Sequence, residues 1–152
     1  MIKKIFIYLI CLLPWFANNL IPVDYQYFKE IKTPFFTPPK SFYGISWTII
    51  YILTAYTIYK IVYSYKWKEI PNSYKITLLI NYILNQSFVI VFFILKNNFL
   101  GFISCITTLI STLFLYEETS LLKNKSKYLL IPYILLSVFA TILSLSIYLL
   151  NI

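Results

Sequence analysis

Long runs of apolar residues, separated by short polar stretches, divide the chain of 152 residues into five blocks. A helix of roughly 20 mainly apolar residues crosses the hydrocarbon core of a bilayer, which is about 30 Å thick. Each block has approximately this length, so each is predicted to form a transmembrane helix. The predicted helices cover residues 5–21, 44–65, 76–95, 99–116 and 128–150. The expected fold is an all-α integral membrane protein, with residues 1–152 forming a single five-transmembrane-helix bundle.

The composition indicates that a lipid bilayer surrounds these helices. Hydrophobic residues make up 60% of the chain and charged residues only 12%. A soluble domain of this length could not bury so much apolar surface. The net charge of +8 comes from lysines between the apolar blocks, which is typical of loops at a membrane surface. No nucleic-acid partner is therefore predicted.

The distribution of lysines predicts the orientation of the bundle. Nine lysines lie near the amino terminus and around the second and fourth loops, and four lie in the first and third loops. Because cytoplasmic loops carry an excess of lysine, the amino terminus is expected in the cytoplasm and the carboxyl terminus outside. Residue usage rich in Ile, Lys, Asn, Tyr and Phe indicates an AT-rich genome, so a bacterial cytoplasmic membrane is expected.

The amino-terminal block and the loop after it contain most of the prolines. The block could be read as a signal peptide, but Trp15, Phe16 and Ala17 do not form a small-x-small cleavage site, so it is predicted to remain as the first helix. Pro14 should kink it. The first loop, residues 22–43, is rich in proline and aromatic residues and contains no glycine. It is predicted to cover the external end of the bundle; an interfacial aromatic belt is the alternative.

Each of the last four predicted helices carries a stripe of small, polar or aromatic residues at spacings of three and four, which place the stripe on one face. In lipid, such faces turn toward neighbouring helices. Two interpretations remain open: helix packing alone, or the lining of a ligand site. For Asn81 and Asn85, two carboxamides one turn apart, the two are equally open. The stripes comprise Gly44, Trp47, Tyr51 and Thr54; Asn81, Asn85, Phe88 and Phe92; Gly101, Cys105, Thr108 and Thr112; and Tyr133, Ser137, Ala140, Thr141, Ser144 and Tyr148.

The chain lacks the usual residues of a catalytic or metal site. It contains no histidine, and no acidic residue lies in the centre of a predicted helix. Cys11 and Cys105 lie in separate helices and are expected to pack rather than react. No catalytic residue, metal site or required cofactor is therefore predicted, and proton-coupled transport is disfavoured. An aromatic, mildly polar interior suits a flat, apolar, conjugated ligand.

Three stretches of the chain resemble the TspO/MBR family, also called translocator proteins or peripheral benzodiazepine receptors. In the first loop and second helix, the resemblance rests on Pro22, Val23, Asp24, Pro34, Phe36 through Pro39, Gly44, Trp47 and Tyr51. In the third helix it rests on Leu84-Asn85-Gln86, Phe92-Phe93 and Lys96-Asn97, and in the fifth on Ile131-Pro132-Tyr133 and Phe139-Ala140-Thr141.

The resemblance implies a five-helix bundle, commonly a homodimer, that binds flat ligands between its helices beneath the first loop. The implied ligands are porphyrins such as protoporphyrin IX, and isoquinoline carboxamide or benzodiazepine-type compounds. A role in tetrapyrrole transport, sensing or stress response is expected. By position, the implied ligand-binding residues are Phe36, Pro39, Trp47, Asn81, Phe88, Cys105, Leu136 and Ala140. The stripe residues Tyr51 and Asn85 complete the predicted set.

The chain departs from the family at several aromatic positions. Tryptophans of the family appear here as Tyr27, Phe36, Phe88 and Leu136, and the last removes an aromatic wall from the fifth helix. Leu145 and Leu149 replace the tyrosine and basic residue of the cholesterol-recognition motif of animal members, so cholesterol binding is not expected. The alternative function implied by the family is light- or oxygen-dependent degradation of porphyrin, with Trp47 as the redox-active residue.

Overall fold

The structure is a computed structural model that describes residues 2–21, 23 and 25–152. Within these residues every regular element is helical, which confirms the all-α prediction. Pro22 and Asp24, which belong to the family resemblance and to the predicted first loop, lie outside the described residues. The described residues form six α-helices: α1 (Ile2–Leu12), α2 (Tyr25–Glu30), α3 (Lys40–Ser64), α4 (Asn72–Val89), α5 (Asn98–Leu121) and α6 (Ile131–Leu150).

Short segments of other helical types extend three of these helices. A 3₁₀ segment, Leu13–Leu20, continues α1, and a second, Lys125–Leu130, precedes α6. A π-helical turn, Ile90–Ile94, continues α4. With these extensions, four helices are long and apolar enough to cross a membrane: Lys40–Ser64, Asn72–Ile94, Asn98–Leu121 and Lys125–Leu150. They correspond to the second to fifth predicted spans.

The first predicted span is a broken helix, because the α-helical part ends at Leu12. Pro14 has no backbone N–H and cannot continue the α-helical hydrogen bonding, so the chain tightens into the 3₁₀ segment. Two side chains of α4, one turn apart, hydrogen-bond to backbone carbonyls at this break in the helix. Tyr82 Oη donates to the Pro14 carbonyl at 3.0 Å, and Gln86 Nε2 lies 3.4 Å from the Trp15 carbonyl.

The turn between α4 and α5 brings these two helices into close contact. Lys96 adopts φ 50°, and the Asn97 side chain caps α5 by accepting from the Leu100 N–H at 2.9 Å. Gly101 follows in the first turns of α5, and a Cβ atom placed there would lie 2.6 Å from Phe92 Cδ2. Since Phe92 is only 2% exposed, it has little space to move aside.

The first loop is attached to the ends of two different helices. Tyr27 Oη lies 3.0 Å from the Lys96 carbonyl and 2.8 Å from Asn98 Oδ1. Burial raises the pKa of Tyr27, an effect that Lys96 opposes, so the hydroxyl keeps its proton and remains a donor at neutral pH. The Asn151 side chain accepts from the Lys32 N–H at 2.9 Å and donates to the Lys32 carbonyl at 2.8 Å. These contacts hold the loop over the bundle end where α4 and α6 finish and α3 and α5 begin.

The two glycines of the chain should respond oppositely to alanine. We expect Gly101→Ala to lower the free energy of unfolding by about 1–3 kcal/mol, because its methyl group would overlap Phe92. Gly44→Ala, on a helix face with nothing within 4 Å of the added Cβ, should be neutral or should stabilise by about 0.5–1 kcal/mol, because alanine favours the helix. Equilibrium unfolding in mixed detergent micelles measures both. Equal losses in the two variants would contradict the close approach of α5 to Phe92.

Candidate functional site

A cavity of about 1160 Å³ lies among α3, α4, α5 and α6, beneath the first loop. Ligand sites for drug-sized molecules commonly measure about 300–1,000 Å³, so this cavity can hold a large flat molecule. Its walls also include parts of the first 3₁₀ segment and of the first loop, through residues such as Phe16 and Phe28. The cavity therefore lies where several separate elements meet.

Aromatic rings form much of its wall. On α3, the Trp47 and Tyr51 rings lie 5.9 Å apart, and Trp47 also contacts Tyr133 edge-on at 6.0 Å. On α4, Phe88 and Phe92 stack at 5.2 Å with 12° between their planes. Trp47, Tyr51, Phe88 and Phe92 all line the cavity. Such surfaces favour conjugated rings, which can stack or meet them edge to face.

The π-helical turn explains how one helix presents several phenylalanines to the same region. Its i→i+5 hydrogen bond joins the Leu95 N–H to the Ile90 carbonyl at 2.9 Å. The wider turn changes the register of the last residues of α4 relative to a regular helix, a feature often found at functional sites. Phe92 and Phe93, both within this turn, line the cavity together with Phe88 of α4. Nothing in the local sequence predicts this turn, because residues 90–94 contain neither proline nor glycine.

Buried hydrogen bonds join the inner end of the cavity to three helices. Tyr51 Oη donates to Asn85 Oδ1 at 3.1 Å, and Asn85 Nδ2 donates to Tyr133 Oη at 2.9 Å. Tyr51 comes from α3, Asn85 from α4 and Tyr133 from α6. Because each hydroxyl and amide has a partner, these polar side chains can be buried inside a membrane bundle at low cost.

The same hydrogen-bond network continues away from the cavity through Asn81. Tyr133 Oη donates to Asn81 Oδ1 at 3.3 Å, and Asn81 Nδ2 lies 2.9 Å from both Ser111 Oγ and Thr112 Oγ1 of α5. Asn81 is fully buried and is not among the cavity-lining residues. Both asparagines therefore hydrogen-bond to neighbouring helices, and Asn85 also lines the cavity whereas Asn81 does not.

Two hydroxyls of the cavity lining, Tyr43 Oη and Ser137 Oγ, have no hydrogen-bond partner within the described part of the chain. Ser137 is 2% exposed, lines the cavity, and its Oγ makes no hydrogen bond within the described part of the chain. Buried polar groups are nearly always hydrogen-bonded, so this hydroxyl is a natural contact for a polar atom of a ligand. Cys105, Thr108 and Ser144 lie on the same wall and are also buried.

Most of the predicted ligand-binding residues meet at this cavity, and three do not. Phe36 is not a lining residue; its ring lies 6.5 Å from the ring of Phe139, which lines the cavity. Pro39 immediately precedes α3, outside the lining, and Asn81 lies deeper in the bundle. The predicted residues that line the cavity are Trp47, Tyr51, Asn85, Phe88, Cys105, Leu136 and Ala140.

Several lining residues were not predicted from the sequence. Tyr43 precedes Trp47 by four residues, and Leu143 and Ile147 continue the spacing of Leu136 and Ala140, so helical periodicity could have identified them. Lys29 and Lys40 also line the cavity. They come from different elements that only the folded first loop brings together, so no local pattern indicates them.

The cavity lining supplies several kinds of group that can bind a ligand. The described residues contain no group of three or more His, Cys, Asp or Glu side chains that could hold a metal ion. The lining offers aromatic faces, buried hydroxyls and an amide, together with two lysine side chains. These groups can stack on, hydrogen-bond to and pair with a ligand.

Comparison with known proteins agrees with this architecture. The model of the TspO/MBR family matches residues 6–150. The chain belongs to the TspO/MBR family. It is a membrane protein with several apolar helices, as the composition predicts.

Three relatives show how far the sequence similarity extends along the chain. The "Tryptophan-rich protein TspO" of Bacillus cereus is 37% identical over 135 residues, which cover 89% of this chain and 87% of that protein. The "Uncharacterized membrane protein YtaB" of Bacillus subtilis is 34% identical, with coverage of 86% and 84%. The "Tryptophan-rich protein TspO" of Archaeoglobus fulgidus is 30% identical, with coverage of 82% and 80%. The similarity therefore extends over most of each chain.

Two tyrosine variants test the network. Tyr133→Phe keeps the ring but leaves both Asn85 Nδ2 and Asn81 Oδ1 without this partner, so we expect unfolding free energy to fall by about 1–3 kcal/mol. Tyr51→Phe should cost less, about 0.5–1.5 kcal/mol, because Asn85 Oδ1 retains Gln86 Nε2 at 3.3 Å. Unfolding in mixed micelles gives the two values. A Tyr51→Phe loss equal to or larger than the Tyr133→Phe loss would show that Tyr133 is not the central link.

Proposed function

We propose that this protein is a receptor or translocator-type membrane protein that binds porphyrins, such as protoporphyrin IX and similar flat tetrapyrroles, in the cavity among α3–α6. The observation that carries the proposal is the cavity of about 1160 Å³ with aromatic walls in a TspO/MBR chain. Isoquinoline carboxamide and benzodiazepine-type compounds are proposed to enter the same site. Binding would serve tetrapyrrole transport, sensing or a stress response.

We further propose that α1 and the 3₁₀ segment after it make a fifth membrane crossing. An α-helix rises about 1.5 Å per residue and a 3₁₀-helix about 2.0 Å. The 11 residues of α1 and the 8 residues of the 3₁₀ segment then span roughly 32 Å, close to the thickness of a hydrocarbon core. Exposed apolar side chains on α1, including Phe6 and Ile10, suit contact with lipid.

Five crossings are consistent with a cytoplasmic amino terminus, an external carboxyl terminus and a first loop on the outer face. Location in a bacterial cytoplasmic membrane and assembly as a homodimer complete the proposal. The homodimer follows from the family resemblance, and the bacterial membrane follows from the residue usage. No resident cofactor is proposed, and porphyrin is treated as the ligand. Cholesterol is not proposed as a ligand, because Leu145 and Leu149 occupy the positions of the motif's tyrosine and basic residue.

A ligand titration tests binding at the cavity. We expect protoporphyrin IX to quench tryptophan fluorescence saturably at micromolar concentrations, because Trp47 lines the cavity and Trp15 packs against Tyr51 at 5.7 Å. Gly44→Phe should place a ring in the open space beside Gly44 and weaken binding at least about tenfold through lost contact area. The purified protein in detergent micelles is suitable for the measurement.

The matched control is Ile45→Phe, which adds the same ring on the adjacent residue of α3, where the side chain is 61% exposed. It should leave the affinity within about twofold of the parent, because it adds no contact inside the cavity. Thermal unfolding of both variants separates occlusion of the site from loss of fold. Absence of saturable quenching in the parent protein would refute porphyrin binding. Equal affinities of Gly44→Phe and Ile45→Phe would place binding elsewhere.

The second candidate function is light- or oxygen-dependent breakdown of porphyrin. It is favoured by the position of Trp47, whose ring lies 5.9 Å from Tyr51 and 6.0 Å from Tyr133, so that three oxidisable rings lie together and two of them, Trp47 and Tyr51, line the cavity. If this function holds, Trp47→Phe should slow loss of protoporphyrin IX absorbance under aerobic illumination by at least about tenfold, a lower bound below the roughly 10²–10⁴-fold contribution of a positioned acid or base. The ligand affinity should change much less. Breakdown that continues at the parent rate in Trp47→Phe would exclude this role of Trp47.

A further inference from the structure

A second, smaller cavity, here called the α5–α6 pocket, lies in the turn between α5 and α6, at the end of the bundle opposite the first loop. Its volume is about 290 Å³, close to the lower limit of about 300 Å³ for small-molecule sites. The residues that line it are Ser120, Lys123, Asn124, Lys125, Lys127 and Tyr128. Among the described lining residues none is acidic, so the pocket is positively charged and suits a small anionic group.

Contacts on two sides hold the Lys127 ammonium group at the wall of the α5–α6 pocket. Its Nζ donates to Ser120 Oγ at 2.7 Å and lies 5.3 Å from the centre of the Tyr128 ring and 5.7 Å from that of Tyr116. Because Ser120 Oγ accepts this bond, its own O–H group remains a donor. Neither a hydroxyl nor an aromatic ring neutralises the charge of the half-buried lysine. An anion in the pocket would do so.

Lys123 and Lys125 add two further positive charges to the same pocket. Both side chains are exposed, and neither has an ion-pair or hydrogen-bond partner within the described part of the chain. Glu117 and Glu118 are close in sequence but do not line the pocket, and Glu118 accepts from Ser73 Oγ at 2.8 Å. A concave site lined by charges of one sign concentrates ions of the opposite sign. The pocket is therefore an electrostatic trap for an anion.

The backbone of Lys123 shows that its charge and its place in the turn are separate matters. Its N–H donates to the Ser120 carbonyl at 2.9 Å as α5 ends, and its φ of 52° lies in the left-handed region. Glycine or asparagine adopts this conformation more readily than lysine. Stability of the turn alone therefore does not account for a lysine here, which points to a role for the ammonium group.

The α5–α6 pocket lies at the depth of lipid headgroups. One membrane-crossing helix ends at Leu121 and the next begins at Lys125, so the pocket lies between the ends of two crossings. Leu121 is 70% exposed and Tyr128 is 58% exposed, and aromatic side chains are typical of this interface. Basic pockets between membrane helices bind the headgroups of anionic lipids. A lipid phosphate can reach the pocket without leaving the bilayer, whereas a free phosphate gains no apolar contact.

We propose that the α5–α6 pocket binds the phosphate of an anionic lipid headgroup. Lys123 and Lys125 pair with the phosphate, and Ser120 and Lys127 donate to it from the wall. The bound phosphate links the end of α5 to the segment that leads into α6. This site is separate from the cavity beneath the first loop, and it does not depend on the proposed function.

The test compares phosphatidylglycerol with phosphatidylcholine of the same short acyl chains, by titration calorimetry of the full chain in neutral detergent micelles. We expect the parent to bind phosphatidylglycerol at least about fivefold more tightly, since one lysine near an anionic lipid surface contributes roughly that factor. The double variant Lys123→Asn/Lys125→Gln should lose about tenfold toward phosphatidylglycerol and keep its affinity for phosphatidylcholine. Added salt should reduce the difference between the two lipids.

Lys123→Asn alone distinguishes lost charge from lost fold. It should weaken phosphatidylglycerol binding by roughly fivefold. The thermal midpoint of the lipid-free variant should equal or exceed that of the parent, because asparagine tolerates the left-handed conformation. Lys68→Gln is the matched control, since it removes an exposed lysine from the same end of the bundle at a residue outside the pocket. It should bind both lipids like the parent.

Three outcomes would overturn the proposal. The first is equal affinity of the parent for the two lipids, or a double variant that binds phosphatidylglycerol like the parent. The second is a Lys68→Gln loss as large as that of the double variant, which would indicate a general surface field. The third is displacement of phosphatidylglycerol by millimolar inorganic phosphate at matched ionic strength, which would assign the pocket to a free phosphate. Protoporphyrin IX affinity should be unchanged in all these variants, so failure here leaves the proposed function standing.

Discussion

The buried hydrogen-bond network that runs from Tyr51 through Asn85, Tyr133 and Asn81 to α5 is the constraint on which the bundle depends. Inside a bilayer no water is available, and an unpaired polar group costs several kcal/mol. The two asparagines can therefore be buried only where α3, α5 and α6 supply partners in the correct positions. Apolar contacts alone would specify helix rotation weakly, because lipid tails compete equally well for apolar side chains. The network fixes the rotation of four helices about their axes.

That fixed rotation also determines the character of the site. The network ends at the inner wall of the cavity, where Asn85 and Tyr51 have already satisfied each other and Ser137 has not. Phe92 and Phe93 of the π-helical turn line the same space as Phe88 of α4, and the broken first helix brings Trp15 against Tyr51. The site thus combines a hydrogen-bonded inner end, aromatic walls and two lysines, Lys29 and Lys40, from the first loop and the start of α3. Each part has a separate structural origin.

Much of this architecture could be predicted from the sequence, because membrane thickness and helical periodicity act on local stretches of chain. The long apolar blocks correspond to four helices capable of crossing a membrane, and the stripes containing Trp47, Asn85 and Ala140 do face the cavity. Pro14 coincides with the end of the α-helical part of the first block. Local patterns could not distinguish Asn81 from Asn85, because the two lie one turn apart on one face. Their difference depends on which neighbouring helix supplies a partner.

The attachments of the first loop have a consequence for exchange rather than for affinity. The loop contributes Phe28 and Lys29 to the cavity wall, yet it is tied to the ends of α5 and α6 through Tyr27 and Asn151. Neither tie touches the cavity. Under the proposed function, a ligand that entered from the first-loop side would exchange at a rate set partly by the opening of these ties. Exchange rate and affinity would then depend on different residues.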